Sequence, residues 1–429
     1  MKAAIYTLGC KVNQYESRVI GEALEANGYT LVDDKQPADV YIVNSCTVTA
    51  AADQKTRQHV RKLKREHPDS VVVLTGCMTQ AFPDDADVLP QADIVLGNKN
   101  NAKLPELLEE YFRYGRRILA VEPHQTGDAF APCRVRAFDE RTRAIVKIQD
   151  GCNRFCSYCV IPYSRGRVRS KPLDALQGEI EAIAANGYKE VVLVGINLSS
   201  YGQDIGRTFP DAVACACGVS GIERVRLGSL EPDHLTDAVI DRLAKLPKLC
   251  PQFHISLQSG CDKTLRAMNR HYTTQDFRRL CAALRTRFPG CTLTTDMMVG
   301  FCGETEEDFE QSCRFAQEIG FEKIHVFPYS VRSGTKAASM PGHLPRKVKE
   351  QRAARLIALS DTMRQAFFAS CAGKEERVLL ESTRKDGDSF GYTANYTPVL
   401  VRTDAPQGSL IDVRITGAAS DAVLAEVIE

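Results

Sequence analysis

Short apolar runs alternate with amphipathic stretches through most of this chain, and that alternation leaves few folds open. Lys2–Gly9, Asp39–Asn44, Val71–Thr75 and Asp93–Leu96 read as strands, with helices expected over Gln14–Asn27, Asp53–Glu66 and Ala102–Tyr114. Gly28 and Gly115 stand where two of these helices stop. Such alternation builds a parallel sheet covered on both faces. A linker from Glu122 to Arg143, carrying Pro123, Gly127 and Pro132, separates this part from a longer alternating region. There the expected strands are Ala144–Ile148, Val191–Val194, Arg224–Leu227, Phe253–Leu257, Thr292–Val299 and Lys323–Phe327. The helices include one opened by Ser170 as N-cap, then His234–Leu246, Thr274–Arg287 and Glu306–Ile319. Six strand–helix units make a partial barrel, with functional residues expected just after the strands.

Beyond a basic helix over Lys347–Ser370 the texture changes. Arg377–Glu381, Ser389–Arg402, Ser409–Thr416 and Val423–Val427 read as short strands separated by Gly, Asp and Pro turns. The expected fold is therefore α/β in three parts. An amino-terminal parallel α/β domain covers 1–121, a partial (β/α)6 barrel covers 134–371, and a small antiparallel β-barrel covers 372–429. A length of 429 residues suits two or three cores.

A net charge of +1 gives no global argument for nucleic acid, so any such footprint is local. Sixteen cysteines spread over the chain without a secretory leader favour a reducing compartment over a disulfide framework. The apolar stretch before Cys10 is too short for a signal peptide, and no run approaches the ~20 apolar residues that span a bilayer. A cytoplasmic protein with no membrane partner is expected.

Chemistry enters with Asp150-Gly-Cys-Asn-Arg-Phe-Cys-Ser-Tyr-Cys. Cys152, Cys156 and Cys159 offer three thiolates within eight residues. A cubic iron–sulfur cluster normally takes four cysteines, so three leave one iron open to a non-protein ligand. A zinc knuckle is the alternative, but zinc sites usually show paired Cys-x-x-Cys or Cys/His ligands, and no partner pair lies nearby. Three further cysteines repeat one placement. Cys10 follows Leu8-Gly9, Cys46 follows Asn44-Ser45 and Cys77 follows Thr75-Gly76, each just past the carboxyl end of an expected strand. In an open parallel sheet those ends share the ligand-binding edge. The pattern favours a second three-thiolate cluster site over three unrelated buried cysteines.

The Cys-x3-Cys-x2-Cys loop on the first strand of a six-unit barrel resembles the radical S-adenosylmethionine superfamily. Within it, the three-part layout is similar to the methylthiotransferases, with a carboxyl-terminal barrel of the TRAM type. Leu8-Gly-Cys-Lys-Val-Asn-Gln-Tyr-Glu-Ser17, Asn197-Leu-Ser-Ser-Tyr-Gly202, Phe327-Pro-Tyr-Ser330 and Gly391-Tyr-Thr-Ala-Asn-Tyr396 are similar to the branch acting on threonylcarbamoyladenosine in tRNA. The resemblance implies two 4Fe-4S clusters and S-adenosyl-L-methionine. The cluster on Cys152, Cys156 and Cys159 would bind one molecule of that cofactor and cleave it after accepting an electron from an external donor. The resulting deoxyadenosyl radical would remove hydrogen from carbon 2 of the modified adenine beside the anticodon. No side chain has a pKa near that of such a carbon–hydrogen bond, so acid–base chemistry cannot substitute. A cluster on Cys10, Cys46 and Cys77 would supply sulfur, and a second S-adenosylmethionine the methyl group. The expected partner is the tRNA anticodon stem-loop, whose bases unstack cheaply.

Tyr158, wedged between two ligands, is expected on the cofactor adenine, with a core aromatic as the alternative. Asn197, Ser229, Glu231, Gln258 and Arg270 lie at or after strand ends, where cofactor contacts belong, or they serve as structural polar groups. Asn13 and Gln14 line the sulfur-donor site or simply begin a helix. Three basic runs are candidate RNA contacts or solvated faces: Arg165–Arg169, Lys55–Arg65, and Arg346, Lys347, Lys349, Arg352 and Arg355. The first, following the cluster loop, is the favoured one. Two departures stand out. Cys302 occupies a loop position where the family reads proline, which predicts a looser loop. The last 58 residues, 372–429, hold ten acids against six bases, so RNA contact there would fall to Arg384, Lys385, Tyr392 and Tyr396. Alternative functions are methylthiolation of a ribosomal-protein aspartate, whose branch reads Pro-Lys-Asn after the first cysteine, and a non-catalytic iron–sulfur protein binding RNA or carrying electrons.

Overall fold

The computed structural model describes residues 1–87, 89–136, 142–384 and 387–428. The first sheet has six parallel strands in the order β2-β1-β3-β4-β5-β6. They are β1 (Lys2–Thr7), β2 (Thr30–Val32), β3 (Val40–Ser45), β4 (Val71–Gly76), β5 (Ile94–Leu96) and β6 (Ile118–Ala120). β3 and β4 are buried along their whole length, which explains their uninterrupted Val, Ile and Leu runs. The short β2 and β6 escape detection in the sequence because three residues show no periodicity.

The central region begins with β7 (Arg143–Asp150), turns through β8 (Arg169–Ser170), and continues with β9 (Glu190–Gly195), β10 (Arg224–Leu227), β11 (Ser229–Leu230), β12 (Gln252–Ile255), β13 (Thr292–Val299) and β14 (Lys323–Pro328). Two four-stranded sheets result, β10-β9-β7-β8 and β11-β12-β13-β14. All their pairings are parallel except β7 with β8. Ser170 is therefore in a strand, and the following helix is Leu173–Ala185 with Pro172 at its N-cap. The Ser170 hydroxyl instead donates to Asp204 at 2.6 Å and accepts the Gly202 amide at 2.8 Å. A helix over Phe209–Gly218 was hidden by its small, cysteine-rich composition.

The first helix, Lys11–Ala26, fills the side of this partial barrel. Its Val12 and Tyr15 belong to the same core as β7 and β9. The Tyr15 hydroxyl donates to buried Glu179 at 2.8 Å, beside Lys171. A buried acid so paired costs less than a bare one, and it ties the first unit to the second.

The carboxyl-terminal strands, β15 (Glu375–Thr383), β16 (Ser389–Thr393), β17 (Pro398–Val401), β18 (Leu410–Ala418) and β19 (Val423–Val427), close into a barrel. It is antiparallel except for β17 with β19. The expected run Ser389–Arg402 splits in two because Tyr396 adopts φ +68°, a turn conformation. Tyr396 stacks on Tyr392 at 4.2 Å, with the Arg143 guanidinium over both rings and that of Arg226 over Tyr396. Arg226 also donates to Glu190 at 2.8 Å and to the carbonyls of Ala394 and Thr393. This side chain welds the small barrel to β10. Arg226→Met should leave buried Glu190 with only the longer Arg224 pair at 3.9 Å and cost about 3 kcal/mol, read as a lower urea midpoint for the central region and faster proteolytic release of the carboxyl-terminal barrel.

Candidate functional site

β1, β3 and β4 are neighbours in the sheet, so the residues following them emerge side by side. Cys10 is the N-cap of the first helix, Cys46 directly follows β3, and Cys77 begins the helix Cys77–Ala81. Gly76 makes this approach possible: its φ is +105°, and a Cβ there would collide with the Ser45 backbone. Asn13 tethers the cluster of loops, donating to the Ser45 carbonyl at 2.9 Å and accepting from the Cys10 thiol at 3.3 Å. Burial, then the neighbouring Cys77, pushes the Cys46 thiol up to about 12.

The other three cysteines lie just beyond β7. Gly151 turns the chain, the Cys152 amide donates to the Gly166 carbonyl at 3.0 Å, and Phe155 adopts φ +49°. Ser157 fixes the loop to the barrel, donating to the Met268 carbonyl and accepting from the Ala337 amide. Burial drives the Cys152 thiol up to about 11 and raises that of Cys159 further. Thiols so enclosed need a cationic partner to hold thiolate charge. Among the described residues no three donors converge tightly enough for a single metal ion. Three cysteine thiols in each set are the donor chemistry that an iron–sulfur cluster takes.

Of the polar residues singled out from strand ends, Asn197, Arg270 and, through Arg270, Glu231 stand beside the second trio. Arg270 donates to the Cys156 thiol at 3.2 Å and forms a two-pronged pair with Glu231. Asn197 reaches the Cys152 sulfur at 3.8 Å, while its buried Oδ1 has no hydrogen-bond partner. A dry, unpaired acceptor beside a cysteine trio is a place prepared for a ligand. Gln258 holds φ +67° and is pinned to β13 through backbone bonds to Asp296 and Met298. Tyr158 packs edge-on against Phe301 within a small cluster that includes Cys302 and Tyr329. Cys302 does not leave its loop loose: the Gly303 amide donates to Gly342, and Glu304 is clamped by Arg352.

A cavity of about 670 Å³ opens where all three units meet. Cys10 and Lys11 reach it from the first sheet, Ser229, His254, Asp296 and His325 from the barrel, and Tyr392 and Tyr396 from the carboxyl-terminal unit. Gln14 lines it as well. Enclosure lowers the Lys11 ammonium pKa, against the pull of Tyr396. In the sequence Lys11 is marked only by its place after Cys10 in the run Leu8–Ser17.

The favoured RNA run is corrected by the structure. Arg165 is fully buried and Arg169 nearly so; within that run's three arginines only Arg167 is exposed. Arg165 pairs with Glu16 and donates to the Cys77 sulfur at 3.1 Å. Glu16 also takes Lys147 at 2.7 Å, and Lys147 takes Asp150 at 2.6 Å. These groups connect the strand before Cys152 to the helix carrying Cys77. In the long helix Arg346–Ala369, Arg352 is buried on Glu304 and Glu306, and Arg355 pairs with Glu306 and Glu310. Tyr392 and Tyr396 face the cavity, and Arg384 is paired with Asp421. Lys385 lies outside the described residues. The helix Ala50–Glu66 keeps Lys55, Arg61, Lys62 and Arg65 in solvent, which makes it the basic face most open to a polyanion. No described helix is long and apolar enough to cross a membrane.

Residues 2–97 match an uncharacterized protein family, UPF0004, and residues 146–316 match the radical SAM superfamily. The chain is 37% identical over 422 residues to the threonylcarbamoyladenosine tRNA methylthiotransferase of Bacillus subtilis (strain 168), covering 97% of this chain and 94% of that protein. It is 34% identical over 439 residues to the tRNA-2-methylthio-N(6)-dimethylallyladenosine synthase of Clostridium novyi (strain NT), with 99% and 96% covered. Among solved structures, the radical S-adenosylmethionine methyltransferase TsrM of Kitasatospora setae superposes with a TM-score of 0.60 at 16% identity, over 79% of this chain and 76% of that one.

The buried network makes a stability prediction. Burial opposes the charge on Glu16, but Arg165 and Lys147 overcome it and hold its carboxyl below the ordinary range. A depressed carboxyl contributes stability above its unfolded pKa of about 4 and loses it as pH falls through the folded value. Glu16→Ala should cost about 3–5 kcal/mol at neutral pH and flatten the acid limb of a stability–pH curve measured by urea unfolding. An unchanged acid limb would mean that Glu16 is not ionised there.

Proposed function

The chain belongs to the radical S-adenosylmethionine methylthiotransferase family, and from that premise we propose that it converts threonylcarbamoyladenosine beside a tRNA anticodon to its 2-methylthio derivative. The observation that carries the reading is the shared cavity: Cys10, from one cysteine trio, and Ser229, from the strand ends around the other, line the same space. A base placed there lies against Cys10 on one side and Ser229 on another.

In this reading Cys152, Cys156 and Cys159 hold the initiating 4Fe-4S cluster, and Cys10, Cys46 and Cys77 hold the auxiliary one. When bound, the clusters and S-adenosylmethionine supply one-electron cleavage, sulfur and a methyl group. The protein orients and shields these groups. Arg270, fixed by Glu231, sets the position of Cys156 and presents charge to the cofactor carboxylate. Asn197 offers its free oxygen to the cofactor, with Ser229 and Gln258 completing the polar wall and Tyr158 the apolar one. Residues 1–121 carry the auxiliary site, 134–371 the radical site and 372–429 the lid formed by Tyr392 and Tyr396. An external one-electron donor completes the set of partners.

The test is an anaerobic reconstitution with reductant, S-adenosylmethionine and an anticodon stem-loop carrying threonylcarbamoyladenosine. Deoxyadenosine and a methylthio nucleoside should both appear by mass spectrometry; absence of both sinks the proposal. Changing Cys10, Cys46 and Cys77 together to Ala should preserve deoxyadenosine formation and abolish methylthiolation, while lowering bound iron by about half. Persistent methylthiolation in that variant would overturn the donor-site assignment.

A further inference from the structure

Relatives of this chain include enzymes named for two adenosine substituents, one polar and anionic, one a hydrocarbon. The cavity has a character of its own on this point. Each of its acids already has a basic partner: Asp296 lies 3.1 Å from the His254 ring, and Glu322 3.3 Å from Arg364. Arg226 is taken up by Glu190. Lys11 has no acid within ion-pair distance among the described residues, though it lines the same space and stands next to Cys10. Its side chain is exposed and faces the cavity. Lys323 and His325 line the same space. An ammonium at a cavity wall with no carboxylate of its own can make a charge-assisted hydrogen bond to an anion that enters.

We infer that Lys11 is the residue that selects the anionic substrate, by pairing with the carboxylate of the threonylcarbamoyl group. The inference rests on the function proposed above. The ring geometry of adenine supports it: carbon 2, where sulfur is added, and carbon 6, which bears the substituent, both bond to nitrogen 1. A base whose carbon 2 faces Cys10 therefore keeps its substituent in the same cavity. A hydrocarbon substituent there would gain nothing from Lys11, so the preference comes from the charge pair that only the anionic substrate makes rather than from shape.

The experiment compares two stem-loop hairpins, one with the natural threonylcarbamoyl carboxylate and one with that group as its carboxamide. Affinity for the reconstituted full-length protein is read by fluorescence anisotropy, and methylthiolation kinetics are read in parallel. The wild-type protein should bind the carboxylate hairpin about tenfold to a hundredfold more tightly, the range of a hydrogen-bonded charge. Lys11→Gln should bind both hairpins alike, at the wild-type carboxamide level, and Lys11→Arg should restore part of the preference. Bound iron in both variants should match the wild type, which excludes a collapsed auxiliary site. If Lys11→Gln keeps the full carboxylate preference, or weakens both hairpins equally, the inference is overturned while the function stands. A wild-type protein that modifies neither hairpin overturns the function itself, and this inference with it.

Discussion

The structure turns on a buried set of charges between its first two units. Glu16 stands on the helix that fills the side of the barrel, Arg165 follows the cysteine loop, and Lys147 and Asp150 lie on β7. Burying such groups is costly unless each finds its partner. Lys147 and Arg165 share Asp150 within the central unit, but Glu16 of the first unit finds both of its cations there, so its charge is satisfied only across the junction. That requirement fixes the docking. It also places the Arg165 guanidinium on the Cys77 sulfur, so the contact joining the units touches the first cysteine trio.

From this docking the rest of the site follows. With the first helix against β7 and β9, Cys10 and Lys11 line a cavity shared with the barrel. The carboxyl-terminal barrel closes the remaining side through Arg226, Arg143 and the stacked Tyr392 and Tyr396. Its acidic surface is no obstacle to this role, because its contribution to the cavity is aromatic and backbone, not cationic. A reaction that makes carbon radicals gains from such enclosure, since water and stray hydrogen donors are kept away.

The placement of the two cysteine trios just past strand ends was legible because the strand pattern is strong. Thr274–Arg287, Thr292–Val299 and Glu306–Ile319 were legible for a similar reason: capping residues and periodicity agree. Ser170 misled because Ser-x-Pro satisfies local capping preference while its hydroxyl is engaged with Asp204 across the fold. Arg165 and Arg169 misled because a run of arginines looks the same whether solvent or buried carboxylates surround it.

The sequence by itself determined the three-part architecture, the six cysteines at strand ends and hence the class of chemistry, since periodicity and ligand type are local properties. Only the tertiary structure decided which charges are spent on holding the units together and which remain for a ligand. Charge pairing depends on distances between residues more than a hundred positions apart, as between Glu16 and Arg165. That is why Arg165 proved structural, and why Lys11, one ordinary lysine in the chain, stands out only when its neighbours are known.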